Sequence, residues 1–208
     1  MAEDPNTWQQ ETKLVRGGMA RSPYGEISEA LFLTQSFAYE SASDADKRFS
    51  GEEPGFIYQR FGNPTTQMFE DRLALLEGAE QCRATASGMA AVHVALQGLV
   101  RGGDHIVAGR ALFGSCRWIL SELMPRYGVD VTFVDATDIE AWKNAVRPNT
   151  KAFLVETPAN PLLEITAIGA VADVAHAAGA RLVVDNVFAT PLFQKPLALG
   201  ADIVVNSA

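Results

Sequence analysis

Hydrophobic positions along this 208-residue chain show two textures. Through residues 1–60 they follow no clean repeat. Gly17-Gly18, Ser22-Pro23-Tyr24-Gly25 and a polar stretch from Ser41 to Gly55 interrupt them. Such a segment reads as an irregular arm with short helical or extended pieces. Alone it buries too little to offset the entropy of ordering, so it needs another surface, on its own domain or on a partner subunit. From about residue 64 the pattern becomes regular. Met68, Phe69, Leu73 and Leu76 predict a helix over Thr65 to Glu77, with Gly78 as its stop. Gln81 to Ala86 is a short strand candidate. Gly88 to Val100 is an apolar helix ended by Gly102-Gly103. His105 to Ala108 reads as a strand, Gly114 to Tyr127 as a helix closed by Gly128, Val129 to Val134 as a strand and Asp138 to Val146 as a helix. The alternation continues with strand Ala152 to Glu156, helix Ile168 to Ala178 stopped by Gly179, and strand Leu182 to Asp185. A short helix over Leu192 to Leu199 and a last strand over Asp202 to Asn206 complete it. Strands such as LVVD and DIVVN are continuous apolar runs, as required when both faces of a sheet are covered. The fold class predicted is α/β: a mainly parallel sheet with helices on both faces, preceded by an N-terminal arm.

Composition narrows the function classes. Hydrophobic residues make up 48% and charged residues 20%, enough apolar material for a full core. The net charge of -8 and the lack of a Lys/Arg cluster argue against a nucleic-acid partner. The N-terminus MAEDPNTWQQETK is polar and has no apolar signal-peptide core, and no run has the length of a membrane span. The expected location is cytoplasmic. Cys82 and Cys116 make no disulfide framework and read as reduced, partly buried side chains. His93, His105 and His176 show no ligand spacing, so no metal site is expected.

In open α/β sheets, ligands bind where strands end and helices begin, and three such edges carry candidate chemistry. In Ala86-Ser87-Gly88-Met89, Gly88 allows close backbone approach, and the helix-start N–H groups with the Ser87 hydroxyl suit a phosphate. A plain Ser cap is the competing reading. In Val183-Val184-Asp185-Asn186 a strand delivers a carboxylate to the sheet edge, where it could keep a pyridine nitrogen protonated or merely form an Asx turn. In Glu156-Thr157-Pro158-Ala159-Asn160-Pro161, two prolines fix the backbone while Thr157 and Asn160 offer polar groups, as an ordinary turn would also. Phe113, before Gly114, could stack on a planar ring or pack in the core. Tyr58 and Arg60 stand at the junction of arm and domain, where Arg suits bidentate phosphate recognition or a solvated surface pair. A nucleotide-binding Rossmann module would need G-x-G-x-x-G after the first strand, and no junction here shows it.

Taken in order, LVRGG, YGEISEALFLTQSF, YQRFGNPTT, LEGAE, ATASGMAA, VETPANP, VVDNVFATP and LGADIVVNSA resemble the Cys/Met-metabolism family of pyridoxal-phosphate (PLP) enzymes over nearly the whole chain. The resemblance implies an aspartate-aminotransferase-like large domain over residues 61–208 behind an intersubunit arm over 1–60. It also implies a cofactor-anchoring lysine two positions past Ala208 and a further C-terminal domain that holds the arginine for the substrate carboxylate. By resemblance, Ser87, Gly88, Met89 and Ser207 hold the phosphate, Asp185 pairs with the pyridine nitrogen, Phe113 stacks on the ring, and Asn160 lies near the ring oxygen. Tyr58 and Arg60 would reach across a dimer to the neighbour's phosphate, within a homotetramer built from dimers. Phe113 stands where lyases of the family have Tyr, and a phenyl group cannot take part in proton transfer. With LFGSC, this turns the expectation toward γ-replacement on O-succinylhomoserine with sulfide, giving homocysteine and succinate. Cystathionine γ-synthase or γ-lyase chemistry is the alternative within the family, and a non-catalytic scaffold homologue is the alternative outside it.

Overall fold

A computed structural model describes residues 4–208, so the first three residues of the expected arm lie outside it. The chain falls into two compact units, one ending at Ala84 and the other spanning Thr85–Ala208. The first holds a 3-10 turn (Pro5–Thr7) and helices α1 (Gln10–Arg16), α2 (Ala42–Ser50) and α3 (Pro64–Glu77), with a single antiparallel bridge between Ser36 and Tyr58. Helix α3 starts where the Asn63 side chain accepts the Thr65 N–H at 2.8 Å and ends on Gly78 at φ +71, as the sequence predicts.

Helix α3 falls within the first unit. The physical reason is a set of polar stitches. Arg72 of α3 donates to the Gly17 carbonyl at 2.7 Å and pairs with Glu29. Asn63 donates to the Phe32 carbonyl at 2.9 Å, and Thr65 accepts the Phe32 N–H at 2.9 Å. Gly18, at φ +70, runs so close beneath α3 that a Cβ there would fall 2.4 Å from the Met68 carbonyl oxygen. The strand expected over Gln81 to Ala86 is absent. Its Ala84 N–H goes instead to the Glu70 carboxylate at 2.7 Å, and Arg83 pairs with the same group, so this backbone turns back to α3 rather than joining a ladder.

The second unit runs α4 (Gly88–Gln97), β1 (His105–Gly109), α5 (Gly114–Trp118), a π-helical turn (Ile119–Leu123), α6 (Met124–Arg126), β2 (Asp130–Val134), α7 (Ile139–Ala145) and β3 (Thr150–Glu156). It continues with α8 (Ile168–Ala177), β4 (Arg181–Asp185), α9 (Thr190–Phe193), a 3-10 turn (Pro196–Leu199) and β5 (Ile203–Val205). The single helix expected over Gly114 to Tyr127 thus carries a wide turn just ahead of Pro125. Pro125 offers no N–H, and its ring would collide with the carbonyl four residues back, so the helix continues by widening. The helix expected over Leu192 to Leu199 is broken in two at Lys195. The residue before a proline is pushed out of helical geometry, and Lys195, ahead of Pro196, lies at φ -121 and ψ 84.

Among the described residues, five strands form one parallel sheet in the order β2-β1-β3-β4-β5. The apolar runs make sense residue by residue. Ile106, Ala108, Ala152, Leu154 and Val183 pack on one face with Val92 and Leu96 of α4 and with Leu120 and Met124. Their alternates Val107, Phe153, Val155, Leu182 and Val184 pack on the other face with Trp142 of α7 and Val171 and Ala175 of α8. Residues 106–108, 152–155 and 182–184 of the central strands are apolar at every position because each side chain, up or down, meets a helix. The chain places β2 on one side of β1 and all later strands on the other, which puts a topological switch between β1 and β3.

Trp142 anchors the second face. It is fully buried, stacks on Phe153 with ring centroids 5.7 Å apart, and donates its indole N–H to the Ala136 carbonyl at 3.1 Å. Trp142→Ala is expected to cost about 3–5 kcal/mol. Urea unfolding of the full-length protein checks this: the midpoint falls while the slope of the transition stays near the wild-type value.

Candidate functional site

Parallel pairing delivers two carboxylates to one place. β3 and β4 lie in register with Glu156 opposite Asp185, each the last residue of its strand, so both side chains reach the carboxyl edge beside the switch point. A cleft of about 330 Å³ opens there, within the range of small-molecule sites. Its floor is Glu156, Asp185 and Cys116. Phe113 and Asn160 rise from the loops after β1 and β3, and the first turn of α4 with Ser207 closes the far end.

Ser87, Gly88, Met89, Phe113, Asn160, Asp185 and Ser207, the site residues expected in this unit, all line that cleft. At its far end Ser87 caps α4, its hydroxyl oxygen accepting the Ala90 N–H at 3.1 Å, so the plain cap and the cleft wall are one structure. The Ser87 hydroxyl proton remains for a ligand. The first N–H groups of α4 have no acceptor within the helix, and its dipole favours an anion there. A Cβ on Gly88 would stand 2.8 Å from Ser207 Cβ and 2.9 Å from Ser207 Oγ. Only glycine lets the start of α4 and Ser207 close into a cradle for an anionic group.

At the opposite end Asp185 is buried, with one oxygen accepting the Val187 N–H at 3.1 Å. The Cys116 thiol approaches its other oxygen at 3.9 Å. Burial pushes the Asp185 carboxyl up to about 6; the Val187 N–H opposes this and the Glu156 charge adds to it. Cys116 is pushed up to about 12, first by burial and then by the charges of Asp185 and Glu156. Sγ of Cys116 and one oxygen each of Glu156 and Asp185 lie within 4.8 Å of one another, a cluster with the donor types of a metal site. While protonated, the thiol is a hydrogen-bond donor toward Asp185.

Two site residues escaped the sequence reading. Glu156 was legible only as part of its motif, and Cys116 was expected as an ordinary core thiol. The Phe113 N–H that Glu156 accepts lies 43 residues away and the Asp185 partner of Cys116 lies 69 residues away, so local spacing signals only the Glu156–Asn160 contact. Thr157 was expected to offer its hydroxyl at the edge. It is fully buried, its Oγ1 accepting the Thr166 N–H at 2.9 Å and its carbonyl accepting Gln194 Nε2 at 2.8 Å, so it braces the loops instead. Tyr58 and Arg60 belong to the first unit, where the guanidinium sits 5.2 Å from the Tyr58 ring centroid and 5.1 Å from that of Phe61.

On this parallel α/β sheet, one cleft thus brings together the start of α4 with Ser207, the buried Asp185 carboxylate and the Phe113 ring. The chain belongs to the Cys/Met metabolism PLP-dependent enzyme family, whose model matches residues 11–208. It is 50% identical over 203 residues to O-succinylhomoserine sulfhydrylase of Mycobacterium tuberculosis strain H37Rv, covering 98% of this chain and 50% of that protein. It is 44% identical over 199 residues to L-methionine gamma-lyase of Treponema denticola, covering 95% of this chain and 50% of that protein. A Campylobacter jejuni structure containing N'-pyridoxyl-lysine-5'-monophosphate superposes with a TM-score of 0.92 at 29% identity, over 97% of this chain and 50% of that one. The chain thus spans about half the length of the relatives it matches.

PLP fits the residues present. The close approach of Gly88 and Ser207 accommodates the phosphate, and the buried carboxylate suits a protonated ring nitrogen. Asp185 also makes the cofactor-free protein sensitive to pH. Its folded pKa of about 6 lies above its ordinary 3.8, so the folded state holds the proton more tightly. The resulting stabilisation is present below pH 3.8 and is lost as pH rises through about 6. At about 1.4 kcal/mol for each tenfold change in acidity, the loss is about 3 kcal/mol. Asp185→Asn is expected to abolish this component, raising the urea midpoint of the cofactor-free protein at pH 8 relative to wild type while weakening cofactor retention. Paired unfolding curves at pH 5 and pH 8 check the first part, and cofactor titration followed by absorbance checks the second.

Proposed function

We propose that this chain forms the greater part of the cofactor-binding half of a cytoplasmic PLP-dependent enzyme that replaces the succinyloxy group at the γ carbon of O-succinylhomoserine with sulfide, releasing homocysteine and succinate. The observation that carries the reading is the cleft itself, which is lined at once by Asp185, the close approach of Gly88 to Ser207, and Phe113. When bound, PLP supplies an electron sink for negative charge at the substrate's α carbon. The chain's residues make that useful. Asp185 holds the proton on the ring nitrogen, and its burial strengthens the pairing. Ser87, the first N–H groups of α4 and the Ser207 hydroxyl hold the phosphate. Phe113 would cover one face of the ring and Asn160 would stand at its oxygen, so that these residues would hold it in one orientation toward the bond to be broken.

Two observations favour replacement by sulfide over elimination. Identity is higher to the sulfhydrylase than to the lyase. Phe113 also carries no hydroxyl, so the residue that covers the ring cannot pass a proton to the leaving group. For the arm we propose an intersubunit role, with Tyr58 and Arg60 of one protomer completing the phosphate site of its partner in a dimer that pairs again into a homotetramer. Its apolar side chains support this: Ile27, Leu31, Leu33 and Phe61 are all exposed by 70% or more, a density that single soluble subunits avoid.

The full-length protein loaded with PLP and given O-succinylhomoserine and sulfide is expected to form homocysteine and succinate in equal amounts. Cystathionine formed from cysteine with no homocysteine from sulfide would reassign the nucleophile. Release of an α-keto acid from methionine at a comparable rate would reassign the reaction to elimination.

A further inference from the structure

Glu156 is the one carboxylate in the cleft to which the proposed chemistry gives no task. It is 5% exposed and ends β3 beside Asp185. Its two oxygens point to different loops. Oε2 accepts the backbone N–H of Phe113 at 2.5 Å, and Oε1 accepts the backbone N–H of Asn160 at 2.7 Å. The first loop follows β1 and carries the aromatic that covers the ring; the second follows β3 and carries the amide at the ring oxygen. Phe113 is the N-cap residue of α5 and has no side-chain capping bond, so the Glu156 carboxylate is what holds its backbone. Side chains that grip a ligand from loops need such anchoring, because loops are otherwise the mobile part of an α/β sheet.

The residue type follows from the geometry. Two N–H donors on two loops require two acceptor oxygens on one side chain. Gln has one acceptor oxygen and an NH2 that would face the second donor. Asp is shorter by one methylene and cannot span both. An ionised acceptor also makes stronger bonds than a neutral one.

We infer that Glu156 is a positioning residue: its carboxylate ties the Phe113 and Asn160 loops together across the end of β3, and so sets how the ring of the cofactor is held. This rests on the cofactor site proposed above, but the clasp exists without the cofactor and can be tested without it.

Hydrogen–deuterium exchange on the cofactor-free full-length protein is the first arm. In wild type, peptides spanning 110–117 and 157–163 are expected to be protected at the Phe113 and Asn160 amides. In Glu156→Gln at least one of the two is expected to exchange at least tenfold faster, while the β1 and β4 peptides keep wild-type rates. Glu156→Asp is expected to free at least one of them as well, showing that reach matters besides charge. The second arm adds PLP. Glu156→Gln is expected to bind it with a weakened visible circular-dichroism band, which reports ring orientation, and to lose on the order of 10²-fold in kcat with a smaller change in KM. Unprotected amides in the wild type would overturn the clasp, and that measurement holds even where a variant fails to fold. Unchanged exchange, or an unchanged visible band and kcat, in a folded Glu156→Gln would overturn it equally. Wild type that fails to bind PLP, with both amides protected, would instead sink the cofactor reading and leave the clasp standing.

Discussion

The carboxylate floor of the cleft descends from the parallel register of β3 and β4. Pairing Glu156 with Asp185 sets two carboxylates side by side at the end of a water-excluding sheet. Neither has a cation among the described contacts. Glu156 is satisfied by two backbone N–H groups, and Asp185 by one backbone N–H and a thiol. A buried negative charge with so little compensation is unfavourable, and the strongly raised pKa of Asp185 expresses this. The same imbalance makes the place suited to a ligand that brings a positive charge. Instability of the empty site and the proposed affinity for a protonated ring nitrogen would share one electrostatic origin.

The opposite end of the cleft is built on a different principle. No lysine or arginine of the second unit lines it, and the anion cradle consists of a helix start, a serine cap and a backbone close approach. Helix dipole and N–H groups are fixed by the fold and need no side-chain ordering when a phosphate arrives. The missing full charge is what the arm's Arg60 would supply from a partner subunit in the proposed assembly.

How much of this could be read from the residues varies with the range of the interaction involved. The strands of the second unit were legible because each apolar alternation meets a helix on both sides; LVVD is apolar at Leu182, Val183 and Val184 alike since neither face is wet. Asp185 and Gly88 were legible because their position at a strand end or helix start is a local property. Glu156 and Cys116 were not, since the folded sheet alone brings Phe113 to the one and Asp185 to the other, and only the Glu156–Asn160 contact is local. Gln81 to Ala86 has a strand's composition but no neighbour to pair with, and Glu70 takes its amide instead. The arm was legible only as a segment in want of a surface, because short elements joined by polar stitches to α3 leave no periodic trace.

The absence of a hydroxyl on Phe113 sharpens what this site can be. In the proposed site, an aromatic that cannot exchange protons would act by shape and position alone. Position then has to be enforced by something other than the aromatic's own hydrogen bond, and a phenyl ring 44% exposed at a helix start has little packing to do it. The backbone bond from Phe113 to Glu156 supplies that constraint from beneath, where it does not compete with substrate for the ring face. The loss of one polar group at the surface of the site and the presence of a buried acceptor behind it are therefore parts of the same arrangement, in which orientation is held by the backbone and the chemistry is left to the groups that contact the reacting atoms.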